Sequence, residues 1–148
     1  MNYMKKKKGL IISDVNAEQI KLQLATAVPK KDIRTSTISG RDVNNGLNRS
    51  CEVSSEDVGM ALDDCFREII NAIHAAIEHT PPELVSDIID TGIWLAGGGA
   101  LIKDIDLRIQ NEVRLPVKVV ANPLTVIAKG GEMVLSDPEL LDKIQLQV

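Results

Sequence analysis

Apolar and polar positions along this chain alternate between helical and strand spacing, with turn chemistry between the runs. Residues 1–8 read as the tail of a helix: Met1-Asn2-Tyr3-Met4 runs into lysines suited to a helix C-terminus, and Gly9 is a stop. No start signal precedes this helix, so a part upstream is expected. Beyond Leu10-Ile11-Ile12-Ser13, a second helix is expected from Asp14 to Asn16 onward. Asn16 serves as its cap, Gln19 lies at capping-box spacing, and Ala17, Ile20, Leu24 and Ala27 share a face. Pro29 ends it. Ile33–Gly40 and Leu47–Val53 then read as a hairpin around Asp42-Val43-Asn44-Asn45-Gly46, with apolar content for only one covered face.

Ser54-Ser55-Glu56-Asp57 opens the longest helix, with Ser54 or Ser55 as cap and acids in the first turn. Its apolar stripe runs through Val58, Ala61, Leu62, Cys65, Phe66, Ile69, Ile70, Ile73, Ala76 and Ile77, which makes Cys65 a buried structural thiol. A short helix follows Pro81-Pro82, with Leu84, Val85, Ile88 and Ile89 facing inward. Gly92–Leu95 reads as a buried strand and Gly97-Gly98-Gly99 as a tight turn. Leu101, Ile102, Ile105, Leu107 and Ile109 then mark a helix to about Val113. Pro116–Ala121 is a strand, Asn122 caps a helix from Pro123, and Ser136-Asp137-Pro138-Glu139 starts a last short one. Strand, helix, strand, helix is the unit of a parallel α/β sheet, and two strands are too few to complete one.

Composition narrows the choices. In 148 residues there is one Trp, one Tyr and one Phe, so the core is aliphatic. A formal charge of −4 opposes a nucleic-acid surface. Lys5–Lys8 is the one basic run; it reads as a solvated helix face or as a lipid or phosphate contact. Cys51 and Cys65 lie too far apart for a metal knuckle, His74 and His79 are not at ligand spacing, and free thiols suit a reducing cytoplasm. No apolar run is long enough to cross a bilayer.

Two features offer chemistry. The triple glycine before a helix lets a ligand approach the backbone and presents unpaired N–H groups; it serves equally as a way to turn a corner. Glu18 and Lys21 share a helix side, either as a solvated ion pair or as part of a site. The contiguous glycines do not fit the dinucleotide fingerprint. No phosphate-loop, nucleophile-elbow, zinc-helix or calcium-loop pattern is present, and no nucleophile is placed beside a base.

Taken together, Pro81-Pro82-Glu83-Leu84, Ser86-Asp87-Ile88 and Gly92-Ile93-Trp94-Leu95-Ala96-Gly97-Gly98-Gly99-Ala100-Leu101 resemble the C-terminal half of the MreB family, the bacterial actins that set rod shape. The likeness continues through Leu115–Val119, Asn122-Pro123-Leu124-Thr125 and Ala128-Lys129-Gly130-Gly131. It extends back through Asn2-Tyr3, Ile12-Ser13-Asp14, Ala17-Glu18-Gln19-Ile20-Lys21 and Gly40-Arg41-Asp42. Departures are Ser13-Asp14 for the family's Gly-Glu, Ala96 for Thr before the glycines, Val113-Arg114 for Thr-Gly, and Ala121-Asn122-Pro123 for Glu-Asp-Pro.

The resemblance implies an α/β fold: the C-terminal lobe of the actin-like (ribonuclease H-like) ATPases, helix-rich, with a β-hairpin and an incomplete sheet. It implies a small outer subdomain at 1–53 and an inner subdomain remnant at 54–148. It also implies ATP as ligand, with Glu18, Gln19, Ile20 and Lys21 reaching the adenosine from one side and Gly97, Gly98, Gly99 and Ala100 lining the other. The family's phosphate loops, magnesium-associated acid and membrane-inserting segment are expected before Met1, so no metal ligand or catalytic residue is assigned here, and hydrolysis is expected only with the other half present. Expected partners are further copies, full-length filaments or a membrane-anchored adaptor, in the cytoplasm. The competing reading is a non-enzymatic interaction module that pairs with such filaments or adaptors.

Overall fold

The computed structural model describes residues 1–28 and 33–144. The first residues form a π-helical turn, Met4–Lys8, stopped by Gly9 in the left-handed region, whose N–H returns to the Met4 carbonyl. Strand β1 (Leu10–Ile11) leads into α1 (Asp14–Leu24). The cap of α1 is Ser13 rather than the expected Asn16: Ser13 Oγ accepts the Asn16 N–H at 3.2 Å. Asn16 instead sends its side-chain amide to the Ser39 carbonyl, tying α1 to the hairpin. The helix ends at Leu24 because Ala25 turns extended and Thr26 pairs in parallel with Lys103; Pro29 lies outside the described residues.

Strands β2 (Thr35–Asp42) and β3 (Asn48–Ser54) form the hairpin, with β1 antiparallel on the outer side of β2. The turn is held by Asp42 and Asn45 side chains accepting the Asn44 and Leu47 N–H groups. One face is covered. Ile38 and Val53 pack with Met4, Leu10, Ile12, Ile20, Leu24, Ala25 and Val58 into a first core.

Ser54 caps α2 (Ser55–Glu78) in a reciprocal capping box with Asp57. Only Val58, Phe66 and Ile70 of its apolar stripe are buried, with Ser55. Cys65, expected inside, is exposed: with Ala61, Ile69 and Ala76 it lies on the flank of the stripe, and no described element covers that flank. The same correction applies to α3 (Pro82–Thr91), where Leu84 and Ile89 are more than half exposed and Val85 and Ile88 only half-buried. Among the described residues, its apolar face meets no second layer.

Strands β4 (Ile93–Leu95) and β5 (Val117–Val119) pair in parallel through the crossover helix α4 (Ile105–Val113), as the strand–helix–strand order requires. The helix does not follow the glycines directly. Gly98–Leu101 forms a 3₁₀ turn, and Asp104, left-handed at φ 61°, starts α4. Asn122 is likewise no cap: it sits at φ 54°, and its carbonyl accepts the Thr125 and Val126 N–H groups, so α5 (Val126–Ser136) begins later than expected. Asp137 opens α6 (Pro138–Ile144) by accepting two N–H groups. A second core joins Ala27, Phe66, Ile70, Ile105, Ile109, Val113 and Val117; Leu62 and Ile102 pack against both cores.

Asp57 also latches the N-terminal turn to α2. Its carboxylate takes Lys8 Nζ at 2.9 Å and the Tyr3 hydroxyl at 3.1 Å. Burial raises its pKa, but Lys8, the Ser54 N–H and Tyr3 outweigh burial and hold it below the ordinary 3.8. A depressed folded pKa gives stability that is complete above the unfolded value and is lost as pH falls through the folded one. Asp57→Asn is therefore expected to be less stable than the parent at neutral pH, with the gap closing below pH 3.8, as checked by denaturant melts across that range.

Candidate functional site

α1 and the glycine turn face each other across a cleft of about 430 Å³, within the usual size range of small-molecule sites. Glu18, Lys21, Leu22 and Gln23 come from α1, Gly98, Gly99, Leu101 and Ile102 from the turn, and Ala25, Arg34, Lys103 and Leu124 close the ends. The fold thus brings together Glu18 and Lys21 with Gly98 and Gly99, which are 77 residues or more apart in sequence.

The other expected residues fall elsewhere. Ile20 is buried in the first core. It lines a second cleft of about 390 Å³ on the other flank of α1, bordered also by Glu18, Lys21, Tyr3 and Asp57. Gln19 is exposed and lines neither cleft. Ala100 is buried beneath the turn. Gly97 supports the turn without lining the cleft: it sits at φ 83° and ψ 176°, donates its N–H to the Pro123 carbonyl at 2.8 Å and accepts the Ala100 N–H. That backbone region is essentially reserved for glycine.

Gly98 and Gly99 serve differently. A Cβ on Gly99 would meet nothing within 4 Å, and one on Gly98 only Leu124 at 3.6 Å. Their missing side chains therefore leave open floor in the cleft. Exposed Leu101 and Leu124, with Leu22 opposite, give that floor apolar walls suited to the flat face of a base.

Electrostatics favour an anion. Lys21 pairs with Glu18 at 2.7 Å along the helix. Arg34 donates to the Gln23 and Leu24 carbonyls at 2.8 and 3.4 Å, which satisfies the C-terminal end of α1. With Lys103, the lining holds three cations against one carboxylate. Sequence reading missed Arg34 and Lys103. Lys103 carried a local signal, lying just after the turn, whereas Arg34, just ahead of β2, is held in place by its backbone contacts with the distant Ser55.

Comparison with known proteins bears on this site. The family model described as MreB/Mbl protein matches residues 1–143. The chain is 38% identical over 146 residues to the cell shape-determining protein Mbl of Bacillus subtilis, covering 99% of this chain and 44% of that protein. It is 35% identical over 142 residues to the cell shape-determining protein MreB of Escherichia coli K12, covering 96% of this chain and 40% of that protein. Among solved structures, MreB5 of Spiroplasma citri bound to ADP superposes with a TM-score of 0.89 at 29% identity, over 97% of this chain and 44% of that one. The MamK double helical filament, at 19% identity and a TM-score of 0.75, shares the fold. The chain thus spans less than half the length of these relatives.

The contrast among the glycines is testable by thermal unfolding. Gly97→Ala is expected to cost ~1–3 kcal/mol through backbone strain alone. Gly99→Ala is expected to stay within about 0.5 kcal/mol of the parent, since its Cβ enters open space.

Proposed function

The chain belongs to the MreB/Mbl family of actin-like, cell shape-determining proteins, and from that premise we propose that its cleft holds the adenosine part of ATP. The carrying observation is that Glu18 and Lys21 meet Gly98 and Gly99 across one cleft floored by absent side chains. The relatives of known structure bound to ADP and to AMPPNP support the choice of nucleotide. ATP, when bound, supplies a phosphoryl bond whose cleavage needs a grip on the β- and γ-phosphates and on magnesium. This chain's residues do the other part of the work. Leu22, Leu101 and Leu124 exclude water from the base, the glycine backbone admits the ribose closely, and Lys21, Arg34 and Lys103 draw the polyanion in.

On this reading residues 1–53 act as the small outer subdomain and 54–148 as the inner one, with Ala27 of the former packing into the second core and Val58 of the latter into the first. Self-association into filaments in the cytoplasm is part of the same proposal, with the nucleotide completing its phosphate contacts in the remainder of a full-length protein. A second reading, an interaction module that pairs with full-length filaments or a membrane-anchored adaptor, draws on the uncovered apolar residues Trp94, Ile127, Met133 and Leu135.

A fluorescent ATP analogue titrated into the chain, alone and with the N-terminal portion of an MreB relative, tests the first reading. Binding is expected to weaken about tenfold or more in Gly98→Val, whose branched side chain enters the cleft. Absence of binding under both conditions would overturn the nucleotide reading. Co-sedimentation with full-length MreB that is unchanged in Gly98→Val would favour the interaction module.

A further inference from the structure

The two walls of the cleft belong to different cores. Glu18 and Lys21 ride on α1, whose Ile20 and Leu24 sit in the first core; the glycine turn runs into α4, whose Ile105 and Ile109 sit in the second. Among the described residues, no hydrogen bond or ion pair joins Glu18, Lys21 or Leu22 to Gly98–Leu101. Besides the apolar packing of Leu62 and Ile102 on both cores, the walls are joined by backbone pairing at the end of the cleft, where the chain leaves α1. There Thr26 pairs with Lys103 as an isolated parallel bridge, and the Ala27 N–H donates to the Lys103 carbonyl at 2.9 Å. Ala25 and Lys103, the neighbours of this junction, both line the cleft.

One buried hydroxyl sits at the crossing. Thr26, 7% exposed, has Oγ1 at 2.9 Å from the Val28 carbonyl and 3.3 Å from Asp104 Oδ2. A hydroxyl has a single proton, so the same donor serves its own segment and the opposing core. Asp104 is the left-handed residue that ends the glycine turn, and its carbonyl accepts the Arg108 N–H at the start of α4. Arg108 braces the junction, reaching the Ala27 carbonyl at 3.4 Å and Asp63 on α2 at 3.1 Å.

We propose that this junction is a hinge lock that sets the separation of the cleft's two walls, with Thr26 and Asp104 as positioning residues. Only its consequence for nucleotide affinity rests on the reading of the cleft given above; the geometric claim stands apart from it.

The test is a pulsed electron-spin distance measurement between labels at Gln19→Cys on α1 and Asn111→Cys on α4, with Cys51 and Cys65 replaced by serine. Thr26→Val keeps the shape and removes the hydroxyl. It is expected to broaden the distance distribution about twofold, and Thr26→Ser to restore the parental width. Exchange of the Ala27 amide is expected to be about tenfold faster in Thr26→Val. Binding of the fluorescent ATP analogue is expected to weaken about fivefold in step. Should Thr26→Val not fold, Asp104→Gly, whose left-handed backbone suits glycine, takes its place with the same expected broadening. An unchanged width in the substituted chain, or a broadening that Thr26→Ser leaves in place, would overturn the lock. If the parent itself binds no nucleotide, the nucleotide reading fails while the distances still decide the lock.

Discussion

Where α1 ends, three residues carry the chain from one core to the other. Ala25 lies in the first core, Thr26 pairs with Lys103, and Ala27 lies in the second. A short extended segment can cross this way only if its backbone groups find partners, since a buried unpaired amide or carbonyl costs about as much as a lost hydrogen bond. The Lys103 carbonyl, the Thr26 hydroxyl and Arg108 supply partners for that stretch. Because the glycine turn ends at the same place, this crossing bears on the cleft, the start of α4 and the relation of the two cores, alongside α2, which contributes Val58 to one core and Phe66 and Ile70 to the other.

The glycines divide their work by the same logic. Gly97 is required by backbone geometry, whereas Gly98 and Gly99 have room for a Cβ and leave the floor of the cleft open. Asn122 completes the arrangement. Its left-handed backbone turns the chain after β5, the Pro123 carbonyl receives the Gly97 N–H, and Leu124 comes to rest beside Gly98. A residue that reads as a helix cap thus serves to hold the floor of a cleft.

The second core is small for the elements around it. Phe66 and Ile70 of α2 and three residues of α4 are buried, while α3 and α5 bury none. Trp94, on the two-stranded sheet, is 58% exposed, with Lys118 Nζ 5.2 Å from its ring centroid. Apolar faces of this extent are left uncovered by the described residues, and the chain spans 44% of its Mbl relative.

Local signals were legible in the residues themselves: the Gly9 stop, a serine cap at Ser54 or Ser55, the hairpin turn and the helix at Asp137 arise from interactions within a few positions, and the strand–helix–strand order follows from their succession. Glycine spacing also pointed to Gly98 and Gly99, and helical spacing put Glu18 and Lys21 on one side. Only the tertiary structure decided that these pairs share a cleft, that Arg34 and Lys103 join them, and that Gln19 and Ile20 do not line it with them. It alone decided that Ser13, not Asn16, caps α1, because Asn16 had a competing partner in Ser39 across the hairpin. It decided as well that Cys65, Leu84 and Ile89 stay exposed. Periodicity tells which face of a helix is apolar; whether anything lies against that face depends on elements distant in the chain.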